Sequence, residues 1–115
     1  LNAGFVGYIQ TGDMPSEEVP VEEDRLTSFG SLKEITGCPN LFIGCFDYVK
    51  GGKAYNMYYV VNNDLVNEVH ETVKFTKNMD YTYVYRESKS VGKGSEIAID
   101  LTPGDACIII EEFSE

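Results

Sequence analysis

The sequence contains no tryptophan, only one histidine and no long uninterrupted run of apolar residues. A membrane-spanning helix needs about 18 or more consecutive apolar residues, so the composition predicts no membrane partner. The lack of tryptophan argues against a carbohydrate-binding surface, because such a surface depends on exposed aromatic rings. The chain opens at Leu1 without an initiator methionine, a basic segment or a signal-peptide core, and we therefore expect a mature or excised piece.

Positive charge is also scarce. Nine Lys and Arg residues stand against 19 Asp and Glu residues, which gives a net charge of -10 and a pI near 4.4. Such a field repels phosphate backbones and anionic lipids, so we expect no nucleic-acid partner and no membrane surface. Residues 13–27 are rich in acidic side chains and contain two prolines, which predicts a solvated acidic loop. Binding of a cation or a basic partner by this loop is the alternative.

The single histidine and the three cysteines offer little for catalysis. His70 lies on the polar side of an alternating strand pattern, where a general base would be exposed and unsupported. Cys38, Cys45 and Cys107 are spaced neither as a disulfide framework nor as zinc ligands. We predict that Cys45 and Cys107 are buried, because both lie inside apolar runs. A bridge that involves Cys38 stays open, and so does the cellular compartment.

Acidic and glycine-rich stretches do not form a recognisable site. Glycoside hydrolysis needs two carboxylates held roughly 5–10 Å apart across a cleft, whereas acids of this chain are adjacent in sequence. Glu111 and Glu112 are expected at a frayed C-terminus, and residues 92–94 are expected to form a turn, not a phosphate cradle. Residues 62–68 carry oxygen ligands without EF-hand spacing, so a polar turn is predicted there, with calcium binding as the alternative. We predict no catalytic residue, no metal and no cofactor.

Apolar residues alternate with polar residues along most of the chain, and no stretch of about 11 residues holds a helical stripe. We predict an all-β fold, a two-layer antiparallel β-sandwich of about eight strands, in a single domain that spans residues 1–115. The predicted strands are 5–10, 29–35, 41–49, 54–61, 68–75, 81–86, 96–101 and 106–111.

Turn residues separate these strands. Gly51 and Gly52 predict a two-residue hairpin, and the Pro-Gly pair in residues 102–105 predicts a type II turn. A further turn is predicted at 76–80, so that residues 51–111 form a meander. Strand 54–61 is apolar on both faces, as expected for a central strand that is covered on both sides. The predicted core comprises Phe5 or Val6, Phe42, Phe46, Met57, Tyr59, Val69, Val73, Ile97, Ile99, Ile108 and Ile110.

Several short motifs follow one another in an order found in one group of proteins. They are Gly4-Phe5-Val6, Thr11-Gly12, Ser28-Phe29, Leu32-Lys33-Glu34-Ile35, Gly37, Phe42-Ile43-Gly44-Cys45-Phe46, Tyr58-Tyr59-Val60-Val61-Asn62, Leu101-Thr102-Pro103-Gly104-Asp105-Ala106 and Ile108-Ile109-Ile110. Together they resemble the C-terminal β-sandwich that follows the catalytic barrel in bacterial glycoside hydrolases of the β-galactosidase-like type. The resemblance covers almost the whole chain.

This resemblance implies a noncatalytic accessory domain, the C-terminal part of a larger protein, that packs on or caps the catalytic barrel of its parent chain. The acid and the nucleophile of that family belong to the barrel, and no residue of this sequence matches them. The expected partner is therefore the catalytic domain of the parent chain.

A carbohydrate-binding or adhesion module is the alternative function. Tyr81, Tyr83 and Tyr85 alternate with other residues, so they share one face of a strand and could stack on successive sugars. Packing of the same three side chains into the core is the favoured alternative, and contact with the parent's catalytic domain is another. They are the candidate carbohydrate-binding residues of the sequence.

Overall fold

A computed structural model of the chain describes residues 2–11, 26, 28–37 and 40–112. The predicted acidic loop, apart from Leu26, and Cys38 lie outside the described residues. The described residues form strands and no helix, which confirms the all-β prediction. In the same part of the chain there is no helix long and apolar enough to cross a membrane. The strands are β1 (Asn2–Gln10), β2 (Leu32–Ile35), β3 (Leu41–Lys50), β4 (Lys53–Asn62), β5 (Val69–Tyr85), β6 (Ser88–Leu101) and β7 (Ala106–Glu112).

All strands belong to one antiparallel sheet in the order β1-β3-β4-β7-β5-β2, with β6 paired to β5. The sheet curls into a half-barrel and does not separate into the two clear layers that the sequence predicted. The predicted meander over residues 51–111 is wrong, because β7 lies between β4 and β5. In chain order, the long β5–β6 hairpin follows β4. Strand β7 comes after this hairpin and pairs between β4 and β5.

Two of the predicted turns are confirmed by the backbone. Gly51 and Gly52 have φ angles of 60° and 80°, which glycine adopts without steric cost, and they join Lys50 to Lys53 across a tight hairpin. Gly104 has a φ of 74°, and the Asp105 amide donates to the Thr102 carbonyl at 3.0 Å, as a type II turn requires.

The predicted turns at 76–80 and 92–94 are wrong, because both segments lie inside long strands. The ladder between β5 and β6 shifts register between Lys74 and Met79, and a bulge of this kind bends a strand without ending it. The bend allows one edge of β5 to pair first with β2 and then with β7. The chain reverses instead at Arg86, whose φ is 56°.

The inner face of the curled sheet carries the hydrophobic core. The buried apolar residues that pack together there are Leu41, Ile43, Cys45, Tyr58, Val60, Val69, Val73, Phe75, Met79, Ile97, Ile99, Leu101, Cys107 and Ile109. The predicted burial of Cys45 and Cys107 is confirmed, and burial raises the pKa of the Cys45 thiol to about 12 and that of Cys107 to about 11.

The predicted core is correct for β5 and β6 and wrong elsewhere. Val69, Val73, Ile97 and Ile99 are buried as predicted. The other predicted core residues are half-buried or exposed: Phe5, Val6, Phe42, Phe46, Met57, Tyr59, Ile108 and Ile110. The reason is that β3, β4 and β7 are apolar on both faces, so alternation alone does not select the inner one.

Candidate functional site

The predicted carbohydrate-binding residues Tyr81, Tyr83 and Tyr85 lie on the inner face of β5, half-buried against the core. Tyr83 lies opposite the fully buried Ile109 in the ladder. The ring of Tyr81 covers Gly92, where an added Cβ would lie 2.6 Å from the phenol oxygen. Burial raises the pKa of Tyr83. This placement favours the packing interpretation of the row, and sugar binding by these tyrosines stays a prediction.

Glu111 of β7 is the only acidic side chain among the buried residues that the structure describes, and its exposed fraction is 0%. Its carboxylate accepts hydrogen bonds from the Tyr58 hydroxyl at 2.6 Å, from the Asn56 amide at 3.4 Å and from the Ser31 hydroxyl and amide. The ammonium group of Lys77 lies 3.8 Å away. The prediction that Glu111 belongs to a frayed C-terminus is wrong, because β7 pairs with both β4 and β5.

The hydrogen bonds to Glu111 control its ionisation. Burial alone would raise the pKa of Glu111, but the donors from Ser31, Tyr58 and Asn56 together hold it below the ordinary value of 4.5. Burial also raises the pKa of Tyr58, and its hydrogen bond to the Glu111 carboxylate adds to that effect. Tyr58 therefore stays a protonated donor and Glu111 a charged acceptor at neutral pH.

Gly30 shapes the space above this cluster. Its φ is 56°, and an added Cβ would collide with the Tyr58 hydroxyl, the Asn56 amide and the Glu111 carboxylate. The backbone before β2 therefore approaches the carboxylate directly and supplies the Ser31 donors. Glu111 is enclosed and its oxygens accept hydrogen bonds from β4 and from the segment before β2, so the cluster joins these elements to β7.

His70 forms a second cluster on the exposed surface, as predicted. Its Nδ1 lies 2.7 Å from Asp100 and its Nε2 lies 3.3 Å from Glu68. The hydrogen bond to Asp100, and then that to Glu68, raise the pKa of His70 above its ordinary value of 6.5. Since both ring nitrogens contact carboxylates, the arrangement is typical of a surface ion-pair cluster and lacks a nitrogen directed at a nucleophile.

Oxygen-rich residues after β4 form a closed turn. The carboxylate of Asp64 accepts from the amides of Val66 and Asn67 and from the Asn67 side chain, at 2.8–2.9 Å. These bonds hold the pKa of Asp64 below its ordinary value. Across the described ranges, no three His, Cys, Asp or Glu side chains converge as metal ligands would.

A cavity of about 250 Å³ lies between β1 and β2. Ile9, Leu32, Ile35 and Ile43 supply its apolar lining, and the remaining lining residues are Thr11, Ser28, Lys33 and Glu34. This cavity has room for a small apolar group. Its described lining residues do not include a buried acid, base or thiol.

The outer face of the sheet carries apolar side chains from several strands. Residues directly opposite each other in antiparallel strands share a face, so the ladders place two rows of side chains across this face. The first row is Phe5, Phe46, Met57, Ile110, Thr82 and Val91, and the second row contains Tyr59, Ile108 and Val84. We call these nine residues the apolar band.

The apolar band is partly open to solvent. The exposed fractions are 53% for Phe5, 41% for Tyr59 and 80% for Val91, and the other members are half-buried. The rings of Phe5 and Phe46 meet edge to face with centroids 5.5 Å apart. The neighbours of Tyr59 and Ile108 in sequence, Tyr58 and Ile109, point inward and are fully buried. Strands β4 and β7 thus carry one buried apolar face and one that is partly exposed.

Lysines border the apolar band. Strand alternation places four lysines and two acids on the same face as the band. The lysines are Lys50, Lys53, Lys89 and Lys93, and the acids are Asp80 and Glu112. Lys50 and Lys53 lie directly opposite each other in the ladder, although like charges in that position repel. Lys53 pairs with Glu112 at 3.5 Å, and Lys93 lies opposite Asp80.

Sequence reasoning missed this face, although its signal is present in the apolar residues on both sides of strand 54–61. The pattern predicts a strand that is covered on both sides, whereas among the described residues its inner side is buried and its outer side is half-buried or, at Tyr59, exposed. No protein-family model, no curated protein and no solved structure matches the chain significantly.

Proposed function

We propose that the chain is a noncatalytic interaction domain that packs the apolar band against another protein domain. The observation that supports the proposal is the partly exposed apolar face on strands whose other face forms the core. Isolated apolar side chains on a surface are ordinary, but a contiguous apolar patch across several strands is typical of an interaction site. Covering it would remove apolar area from water at roughly 25 cal/mol per Å².

The partner that we propose is the catalytic domain of a longer parent chain, of the glycoside hydrolase type that the sequence motifs resemble. The functional chemistry then belongs to the partner, and this domain supports it. In such an assembly the partner supplies the second layer over the outer face, which completes the two-layer packing that the sequence predicted. The strand pattern of β4, apolar on both faces, is consistent with this covered state.

Two adjacent isoleucines of β7 test this proposal as a matched pair. In the isolated chain, Ile109→Ala should lower the free energy of unfolding by about 3 kcal/mol, because it opens a cavity in the core, and Ile108→Ala by about 1 kcal/mol or less. In the full-length product of the gene, Ile108→Ala should become as costly as Ile109→Ala, because the partner domain buries Ile108 there. Urea unfolding of both variants in both contexts measures this difference.

An Ile108→Ala variant that costs the same small amount in both contexts would contradict the proposal. Ile109→Ala is the control, because its cost should be independent of the context.

A further inference from the structure

The charges around the apolar band have the opposite sign to the charge of the chain. The whole chain carries a net charge of -10, whereas the border of the band has four lysines and two acids. One of these acids, Glu112, is paired with Lys53 and the other, Asp80, lies opposite Lys93. Lys50 and Lys89 are left as the positive charges without a carboxylate opposite them in the ladder.

These two lysines frame one depression on the band. The depression has a volume of about 130 Å³ and is lined by Lys50, Tyr55, Thr82, Lys89, Ile110 and Glu112. Ile110 and Thr82 form its floor in the first row of the band, and Lys50 and Lys89 belong to strands on its two sides. A carboxylate attached to an apolar group would match this arrangement, because its charge would lie between the lysines and its apolar part on the floor.

We infer that the partner presents an apolar patch that is bordered by carboxylates, and that Lys50 and Lys89 form ion pairs with those carboxylates. This inference rests on the proposed function and names the chemistry of its partner. A second copy of the chain is a poor occupant of the same face, since it would place lysines against lysines. A nucleic acid is also a poor occupant, because the net charge of the chain repels it.

A pair of small probes with the same ring and opposite charge tests the inference. Naphthalene-2-carboxylate and 2-(aminomethyl)naphthalene are titrated into the isotope-labelled chain, and the amide signals of Thr82, Lys89 and Ile110 are followed by NMR. The carboxylate should bind at least about fivefold more tightly than the amine, since each exposed lysine contributes a factor of about two to five. Added salt should reduce this preference.

The charge reversals Lys50→Glu and Lys89→Glu, combined in one chain, should remove or invert the preference for the carboxylate. Lys33→Glu is the matched control, because Lys33 is an exposed strand lysine on β2, away from the band, and it should leave the preference unchanged.

The possible failures are distinguishable. If neither probe shifts the amide signals of Thr82, Lys89 and Ile110, the proposed docking surface is wrong, and the inference about its partner is wrong as well. If both probes bind and the double substitution leaves their ratio unchanged, the docking surface stands and the acidic partner is wrong. A single-stranded oligonucleotide that binds more tightly than the carboxylate probe and shifts the same amide signals would also overturn the inference, in favour of a nucleic-acid partner.

Discussion

Replacement of Glu111 by alanine is expected to lower the free energy of unfolding by about 3–5 kcal/mol. The substitution removes the buried carboxylate that accepts hydrogen bonds from the Tyr58 hydroxyl, the Ser31 hydroxyl and the Asn56 amide. Urea unfolding followed by circular dichroism measures the loss. The neighbouring Glu112→Ala is the control, since it removes only an exposed ion pair with Lys53 and should cost less than about 1 kcal/mol.

The pH dependence of stability checks the same cluster. Because the folded pKa of Glu111 lies below its ordinary value of 4.5, its contribution is present above that value. The contribution is lost as the pH falls through the folded pKa. Glu111→Gln should therefore show a weaker fall in stability below pH 4.5 than the wild-type chain. Equal acid sensitivity of the two proteins, or a fully stable Glu111→Ala variant, would contradict a structural role for this carboxylate.

The substitution Tyr83→Ala is expected to lower the free energy of unfolding by about 3 kcal/mol, because the ring packs against the core beside Ile109. Tyr59→Ala, on the exposed outer face, is the matched control and should cost about 1 kcal/mol or less. Thermal or urea unfolding gives both values, and affinity electrophoresis in a gel that contains soluble polysaccharide reports sugar binding.

The opposite outcome for Tyr83 supports the sugar platform. A Tyr83→Ala variant that keeps its full stability but loses retardation in the polysaccharide gel would identify the row of Tyr81, Tyr83 and Tyr85 as a carbohydrate surface and would contradict the packing interpretation.

Strands β3 and β4 and the turns at residues 51–52 and 102–105 were predictable because their signals are local. Alternation identified the position of β3 and β4 within one residue at each end, and Gly51 with Gly52 located the hairpin between them. The Pro-Gly pair before β7 predicted the type II turn for the same reason, since only a few residues adopt the required φ angles. These features depend on neighbouring residues and not on the rest of the fold.

The inner face of the sheet and the buried carboxylate were not predictable, because both depend on long-range packing. In β7, Ile108 and Ile109 are equally apolar, and only the curl of the sheet decides that Ile109 points inward. Glu111 resembles a terminal surface acid in the sequence, yet its donors come from Ser31, 80 positions earlier, and from Tyr58, 53 positions earlier. Similarly, the lysines that border the band come from two separate hairpins, so their common face is visible only in the ladder.

Oxidation of methionine by hydrogen peroxide tests the proposed docking surface most directly. Met57 lies half-buried in the apolar band, and Met79 lies in the core with an exposed fraction of 3%. In the isolated chain, mass spectrometry should show Met57 oxidised several-fold faster than Met79. In the full-length product of the gene, the oxidation of Met57 should slow to the rate of Met79, because the proposed partner domain would cover the band. Oxidation of Met57 at the same fast rate in both proteins would contradict the docking function.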